Sequence, residues 1–456
     1  MFKNAVVYCF FFVFASLAGV APSPLGGEAA FSARADDDDD GGGRRRGFSR
    51  GGKGFKLPGV PSFINPCSTP LGVVSGFAGV ACGGRRRAAR ARTPAPQRRE
   101  EIVAAGLRPD DIALLQRRGF EVLASRDSAL ANGLIARMRA PSGRSLKSAL
   151  ALASGAAPDA DFAKNDLYRK TSRETFRTAG VPCGPDCEAF TLTGWRAEVG
   201  RCAKGVAIGV IDTGADLSHP SLAGASLIVR TVRRDDKPPS GLQHGTAVVS
   251  LLASDAASGV AGLARDARIY LADAFHSEGG ADAADAYDIV AAMDWLRSEG
   301  VRIINVSLSG PDNAVLETAV RRMIEGGATI IAAAGEPTKG DAAGYPGRYE
   351  AVIAVSAVNS RLLPSRLAAR GDHIAFSAPG VGVVVAAEGG GLRQVDGTSF
   401  AAPFITAAYA AGAKVHPEAR EVTDILSKAA RDLGAPGHDP IYGWGLVQYT
   451  ALPRCD

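Results

Sequence analysis

Short apolar segments alternate with helical patterns through the second half of the chain. The strand-like segments are Val206–Ile211, Leu227–Val232, Arg268–Ala272, Arg302–Ser307, Thr329–Ala334 and Val352–Ser356, and the helical patterns are Gly245–Ala253, Ala283–Glu299 and Ala314–Gly326. Buried strands separated by helices are typical of a parallel sheet covered on both faces. The sequence therefore predicts an α/β domain with a mostly parallel sheet over residues 199–456. Right-handed crossovers place the carboxyl ends of its strands on one rim, where a site can form.

Three residues with complementary chemistry lie in this region. Asp212 ends the first strand, His244 precedes the apolar run Val248–Ala253, and Ser399 stands at a predicted helix start. A serine hydroxyl is a weak nucleophile at neutral pH, so it needs a base, and the base needs an orienting group. Asp, His, Ser is one of the known chain orders for a hydrolytic triad. We therefore predict Ser399 as nucleophile, His244 as proton carrier and Asp212 as the carboxylate that holds the imidazolium.

The segments around these residues identify a family. Ile211-Asp212-Thr213-Gly214, His244-Gly245-Thr246 and Gly397-Thr398-Ser399-Phe400-Ala401-Ala402-Pro403 resemble the three signatures of the subtilisin-like serine peptidases. The resemblance covers roughly residues 199–450. It implies a subtilisin-like fold and a serine endopeptidase that cleaves protein or peptide substrates through an acyl-enzyme. An esterase of another fold is disfavoured, because no Gly-x-Ser-x-Gly turn surrounds Ser399.

The same resemblance implies residues that contact the substrate. A strand that offers free N–H and C=O groups can pair with an extended peptide. The small residues of the neighbouring pocket leave room for a bulky or apolar side chain just before the cut, although Ser309 replaces the family's usual glycine. The implied substrate-binding residues are Ser307, Leu308, Ser309, Ala333, Gly335 and Gly344.

Glu336 departs from the family pattern, because it occupies the position of the oxyanion-hole asparagine. Loss of such an amide donor costs about 2.7–4 kcal/mol of barrier. An ionised carboxylate ~4 Å from the oxyanion would add about 4 kcal/mol of repulsion at an effective dielectric of 20. Three arrangements are open: Glu336 stays protonated and donates its O–H, it points away, or catalysis is impaired. The last gives the alternative function, a catalytically impaired relative that binds peptides or acts as a scaffold.

The N-terminus has the pattern of an export signal. Lys3 precedes the apolar run Ala5–Val20, and Ala33-Arg34-Ala35 offers a small-x-small cleavage site. Cuts near Ala21 or Ala29 are alternatives. The apolar run is short for a membrane span. We therefore expect a signal peptide over residues 1–35, a secreted or periplasmic product, and no stable membrane span after its removal.

Two further segments precede the α/β domain. Residues 36–99 are rich in Gly, Arg and Pro, and their arginine clusters lack interleaved aromatic residues. They indicate a disordered linker and no nucleic-acid partner. Residues 100–170 alternate strand and helix patterns and predict a small α+β unit. By the resemblance this unit is a pro-domain that inhibits the enzyme until it is removed, and the alternative is an unrelated adaptor domain. Residues 171–198 would be an exposed joint, with a self-processing cut within 165–184.

Cysteine and histidine usage completes the expectations. The six cysteines beyond the signal form an even set that favours disulfides, with the pairing open: Cys67, Cys82, Cys183, Cys187, Cys202 and Cys455. No cofactor is expected, and calcium is poorly supported, because Ser221 replaces an aspartate ligand of calcium-binding members. We expect a monomer. His276, His373, His416 and His438 are expected at the surface.

Overall fold

The structure is a computed structural model of the 456-residue chain and describes residues 100–178, 187–336 and 344–456. For residues 173–178 only the backbone is described. The expected signal peptide over residues 1–35 and the expected linker over residues 36–99 lie outside the described residues, as do Cys67, Cys82 and Cys183.

The N-terminal unit, residues 101–164, is a four-stranded antiparallel sheet with two helices. Its elements are β1 (Glu101–Leu107), α1 (Pro109–Arg117), β2 (Glu121–Ser128), β3 (Gly133–Arg139), α2 (Leu146–Ala156) and β4 (Asp161–Lys164), in the sheet order β2-β3-β1-β4. Alternation along β1 divides its apolar side chains between two cores. Ile102 and Ala104 pack with α1 and α2, whereas Val103 and Ala105 join a core shared with the α/β domain. The unit therefore buries both faces of β1.

The rest of the chain alternates strands and helices as expected. Its first elements are β5 (Leu167–Lys170), β6 (Ser172–Thr178), α3 (Glu188–Thr193), α4 (Ala197–Arg201), β7 (Ala207–Asp212), β8 (Ser226–Thr231), α5 (Gln243–Ala253), β9 (Arg268–Asp273), β10 (His276–Glu278), β11 (Ala281–Asp285) and α6 (Ala286–Ser298). They are followed by β12 (Ile303–Val306), β13 (Leu308–Ser309), α7 (Ala314–Glu325), β14 (Thr329–Ala333), β15 (Ile353–Val358), β16 (Ile374–Pro379), β17 (Val381–Ala386), β18 (Leu392–Gly397), α8 (Thr398–Gly412) and α9 (Ala419–Ala429). Single 3₁₀ turns occur at Pro220–Leu222, Ala256–Ser258 and Tyr449–Ala451.

A seven-stranded parallel sheet in the order β16-β15-β14-β12-β7-β9-β8 forms the centre of this domain. Along β7, Ile208 and Val210 belong to the core that contains α5 and α8. Ile211 belongs to the opposite core, which contains α6 and α7. Helices therefore cover both faces, and the predicted α/β class with a mostly parallel sheet is confirmed. Because the sheet is parallel, Asp212 lies at the carboxyl rim, as predicted.

Two local expectations were wrong. The helix predicted from Ala283 begins at Ala286, because residues 281–285 form β11 and the Asp285 carboxylate caps α6 by accepting the N–H of Asp288 over 3.0 Å. His276 is fully buried rather than at the surface, because β10 pairs with β11 on one side and with the chain at Pro239 on the other.

The segment Leu167–Thr178 joins two small sheets. β5 lies between β11 and β13 in the order β10-β11-β5-β13, and β6 pairs with β18 in the order β17-β18-β6. Thr171, between the two strands, is only 2% exposed. The expected exposed joint therefore does not begin at Thr171, because strands of the α/β domain pair with the chain on both sides of it.

A disulfide links Cys202, directly after α4, to Cys455 near the C-terminus. Cys187 is also disulfide-bonded. The described part of the chain contains no helix long and apolar enough to cross a membrane. Within the same residues, no cluster of three or more His, Cys, Asp or Glu side chains is arranged to hold a metal ion.

Candidate active site

Asp212 and His244 form a buried hydrogen-bonded pair. The Nδ1 atom of His244, on the first turn of α5, lies 2.7 Å from Oδ1 of Asp212, at the end of β7. The N–H of Thr213 donates to the same carboxylate oxygen over 2.7 Å, and the Thr213 hydroxyl oxygen accepts the N–H of Gly245 over 2.8 Å. These bonds hold the end of β7 against the start of α5. A carboxylate at Nδ1 fixes that nitrogen as the donor, which leaves Nε2 to act as the base.

Ser399 lies in the first turn of α8, and its hydroxyl oxygen contacts Thr171. It accepts the N–H of Thr171 over 3.1 Å, lies 2.8 Å from the Thr171 hydroxyl oxygen, and donates to the carbonyl oxygen of Ser307 over 3.0 Å. The His244 ring packs 5.3 Å from the ring of Phe400, which adjoins Ser399. Nε2 of His244 has no hydrogen-bond partner among the described residues. The structure thus brings the three predicted residues to one place, without a bond between Ser399 and His244.

A buried polar network that the sequence analysis missed fixes the backbone at Ser399. Asn305 Nδ2 donates to the Ser307 hydroxyl oxygen over 2.7 Å, and that hydroxyl donates to the carbonyl of Ser399 over 3.2 Å. The Thr406 hydroxyl donates to Asn305 Oδ1 over 2.9 Å. A fully satisfied buried network of this kind rigidifies its surroundings. The available signal was a polar asparagine within the otherwise apolar strand β12.

The chain's own segment runs extended across Ser399. On one side, Lys170 pairs with Leu308 and Arg169 with Ser309. On the other side, Ser172 pairs with Gly397. Leu308 and Ser309, predicted to pair with substrate, therefore pair with residues just before Thr171.

Two glycines permit this close approach. A Cβ on Gly310 would lie 2.4 Å from the ring of Tyr168, and a Cβ on Gly397 would lie 2.4 Å from the carbonyl oxygen of Thr171. Tyr168 is fully buried, and its hydroxyl donates to the carbonyl of Pro311 over 2.9 Å. Burial raises the pKa of Tyr168 well above its ordinary value.

The remaining predicted pocket residues lie near the end of β14. Ala333 is buried in that strand, and Gly335 follows it with φ of +87°. The side chain of Ser309 and the backbone of Gly344 both lie against Gly335. Glu336, the next residue, is partly buried. Ser309, in the strand that pairs with the segment, thus lies against Gly335 and Gly344.

A charged cluster joins the N-terminal unit to the α/β domain near α6. The Arg234 guanidinium donates to Glu101 of β1 over 3.2 and 3.3 Å and to Asp285 over 3.2 Å. Its backbone N–H donates to Asp288 over 2.8 Å. Burial, together with the nearby Asp285 charge, raises the pKa of Asp288 to about 8. Burial lowers the pKa of His276. Arg234 therefore links Glu101 of the N-terminal unit to Asp285 and Asp288 at the start of α6.

Comparison with known proteins identifies relatives of this chain. The sequence profile of the subtilase family (Peptidase S8) matches residues 203–445. The chain is 33% identical over 267 residues to subtilisin of Bacillus pumilus, covering 56% of this chain and 93% of that protein. It is 31% identical over 262 residues to the minor extracellular protease Epr of Bacillus subtilis strain 168, covering 56% of this chain and 39% of that protein.

The fold resembles that of fervidolysin from Fervidobacterium pennivorans, a keratinolytic enzyme related to subtilisin. The two structures align with a TM-score of 0.65 at 19% identity, over 77% of this chain and 60% of that one. Since the profile covers more than half of the sequence, the chain belongs to the subtilase family of serine peptidases.

Proposed function

We propose that this protein is a secreted or periplasmic serine endopeptidase, made as a precursor that cleaves itself between Thr171 and Ser172. Ser399 is the nucleophile, His244 the general base and acid, and Asp212 the group that orients it. The observation that carries the proposal is the extended segment Leu167–Ser172, which crosses Ser399 as a paired strand. A peptide substrate added to a sheet edge takes this arrangement.

The position of the proposed cut follows from the pairing. β5 ends at Lys170 and β6 begins at Ser172, so Thr171 is the residue between the two paired strands. Its N–H contacts the Ser399 hydroxyl oxygen. These contacts support the carbonyl of Thr171 as the one that Ser399 attacks. This position lies within the 165–184 interval expected from the sequence.

The reaction requires the Ser399 hydroxyl to turn from Ser307 towards Nε2 of His244. Oγ then bonds to the Thr171 carbonyl carbon while His244 accepts the hydroxyl proton. The bond from that carbon to the Ser172 nitrogen breaks as His244 returns the proton to the leaving amine. Water, deprotonated by His244, then hydrolyses the ester and releases the Thr171 carboxylate. In cleavage of other proteins the same steps act on substrate strands that replace the segment.

The N-terminal unit is the proposed inhibitor. β5 pairs with β11 and β13, and the unit shares an apolar core with α6 and α7, so these contacts would hold the unit in place after the cut. Residues 100–171 would thus occupy the cleft until they are released, leaving residues 172–198 and a catalytic domain over residues 199–456. Export over the signal in residues 1–35 is supported by the Cys202–Cys455 disulfide, since disulfides persist in oxidising compartments.

A second function is favoured by Glu336. A carboxylate at the oxyanion position would disfavour the tetrahedral intermediate, and the protein would then hold peptides in the cleft without cutting them. The paired segment fits this function as well, because pairing alone gives binding.

The intact mass of the exported protein, compared with its Ser399→Ala variant from the same host, tests the proposal. We expect wild type to begin at Ser172 and the variant to retain the N-terminal unit. If both retain it, the peptide-binding function becomes the better description. If both lose it, a host protease makes the cut, and self-processing is contradicted.

A further inference from the structure

β11 and β13 form a groove around the segment Leu167–Ser172. Within this groove, Asp282 forms an ion pair with Lys170 of the segment. Lys170 Nζ lies 3.2 Å from Oδ2 of Asp282, and the exposed fractions of the two side chains are 25% and 18%. The other oxygen of Asp282 accepts the N–H of Gly241 over 3.2 Å. The carboxylate is thus anchored by the backbone on one side and faces the segment with the other.

Asp282 lies on β11. This strand pairs with one edge of β5, and β13 pairs with the other edge. Lys170 immediately precedes Thr171, so its side chain occupies the second position before the proposed cut. Arg169, at the third position, is exposed. Of these two adjacent basic residues, Lys170 therefore has its charge paired with the groove, whereas Arg169 is exposed.

We propose that Asp282 determines specificity by selecting lysine or arginine at the second position before the scissile bond. This inference rests on the proposed function and names the substrate class of that same site. With the segment in place, the Asp282 side chain is only 18% exposed. An acidic side chain at the second position would be repelled by it, and a neutral one would leave its charge unpaired.

Peptide cleavage measures this selectivity directly. Three peptides carrying Tyr-Arg-Lys-Thr-Ser, Tyr-Arg-Met-Thr-Ser or Tyr-Arg-Glu-Thr-Ser are compared, using enzyme produced from the full chain. We expect kcat/KM for the lysine peptide to exceed that for the methionine peptide about fivefold, as for a partly exposed ion pair. The glutamate peptide is expected to be the poorest substrate.

Asp282→Asn is the matched variant, since its amide oxygen can still accept the Gly241 N–H. It should bring the lysine-to-methionine ratio close to one, because the lysine peptide loses its ion pair and the methionine peptide no longer leaves a carboxylate unpaired. An unchanged ratio in an active variant overturns the inference and leaves the proposed function intact. A wild type that cleaves none of the peptides counts against the proposed function instead, and the next measurement then decides the inference.

Hydrogen exchange of residues 165–172 in the full-length Ser399→Ala chain needs no catalysis. We expect Lys170→Met and Asp282→Asn each to speed exchange about fivefold, and the double variant to be no faster than either single variant. Arg169→Met, the adjacent control, should leave exchange unchanged. If the two single effects multiply, or if Asp282→Asn has none, the ion pair does not hold the segment and the inference is wrong.

Discussion

The backbone N–H of Thr171 donates to the hydroxyl oxygen of Ser399 over 3.1 Å, and the Thr171 hydroxyl oxygen lies 2.8 Å from the same atom. The Thr171 hydroxyl accepts from Thr398 over 3.0 Å, so its own proton is directed to Ser399. Ser399 in turn donates to the carbonyl of Ser307. The hydroxyl proton of Ser399 is therefore bonded to the carbonyl of Ser307, and the segment that would be cut holds Ser399 in an arrangement in which it cannot attack.

Thr171→Val should accelerate self-cleavage. Valine keeps the shape of threonine but removes the hydroxyl that stabilises the non-attacking arrangement. One hydrogen bond contributes ~1 kcal/mol, so we expect conversion of the precursor to be about fivefold faster. The time course of precursor loss, followed by intact mass after synthesis is stopped, measures this rate.

The matched control is Ser172→Ala, which removes a buried hydroxyl that has no hydrogen-bond partner among the described residues. It should change the rate less than about twofold. Slower conversion of Thr171→Val would show that the Thr171 hydroxyl assists the reaction rather than restraining it.

Glu336→Asn should increase the rate of the chemical step. If the side chain at this position faces the developing oxyanion, an amide supplies a donor worth about 10²–10³ in rate. Glu336→Gln also removes the charge, but its side chain is one methylene longer than that of asparagine. It therefore separates the effect of removing the charge from the effect of placing the amide correctly. We expect Asn to exceed Gln, and Gln to exceed wild type, in single-turnover conversion of the precursor. Equal rates in all three proteins would mean that the side chain points away from the site.

Most of the fold and the positions of the three catalytic candidates were predictable, because both follow from local patterns. Apolar runs of strand length separated by helical patterns define the parallel sheet, and this sheet places Asp212 at the rim. The contact of Thr171 with Ser399 joins residues 228 positions apart. No local pattern encodes such a pairing, and the exposed joint predicted there followed only from its place between the two predicted domains.

The burial of His276 could not be predicted for a related reason. Its short strand β10 carries polar residues and has the composition of a surface hairpin, but it pairs with β11 on one side and with the chain at Pro239 on the other. Asn305 was missed because its partners Ser307 and Thr406 lie on different elements. Periodicity predicts which residues are buried within one element, whereas tertiary partners decide which polar residues can be buried.

The buried carboxyl of Asp288 should cause the stability of the full-length chain to fall as pH rises. Its pKa is raised from an ordinary value of 3.8 to about 8 in the folded chain. Between about pH 4 and pH 8 the folded state therefore holds a proton that the unfolded state has lost, so stability falls as pH rises through this window. His276 acts in the opposite range, because its lowered pKa costs stability only in acid, below about pH 6.5.

The test is urea unfolding of the full-length Ser399→Ala chain between pH 6.5 and 9. The carboxyl of Asp288 faces Asp285 at the start of its own helix, Arg234, and Arg137 of β3. We expect the free energy of unfolding to fall over this range, and Asp288→Asn to remove most of the fall. Asp424→Asn, which changes an exposed carboxylate on α9, should leave the slope as it is. If the fall in the free energy of unfolding persists in Asp288→Asn, another group causes it.

The Cys202–Cys455 disulfide should contribute substantially to stability, because it joins residues 253 positions apart. A disulfide that restricts the unfolded chain in this way typically raises the free energy of unfolding by about 2–4 kcal/mol. We expect the double variant Cys202→Ala/Cys455→Ala, made in the Ser399→Ala chain, to lower the free energy of unfolding in urea by that amount. A reducing agent would not give the same answer, since Cys187 is also disulfide-bonded.

Two hydrogen bonds to the backbone of residue 455 do not depend on the sulfur. The N–H of Cys455 donates to the carbonyl of Glu198, and the Arg201 guanidinium donates to the carbonyl of Cys455. Both bonds can persist in the double variant, because the substitution changes only the side chain. A loss of stability below about 0.5 kcal/mol, small beside the usual effect of a disulfide, would show that these bonds rather than the disulfide hold the C-terminus in place.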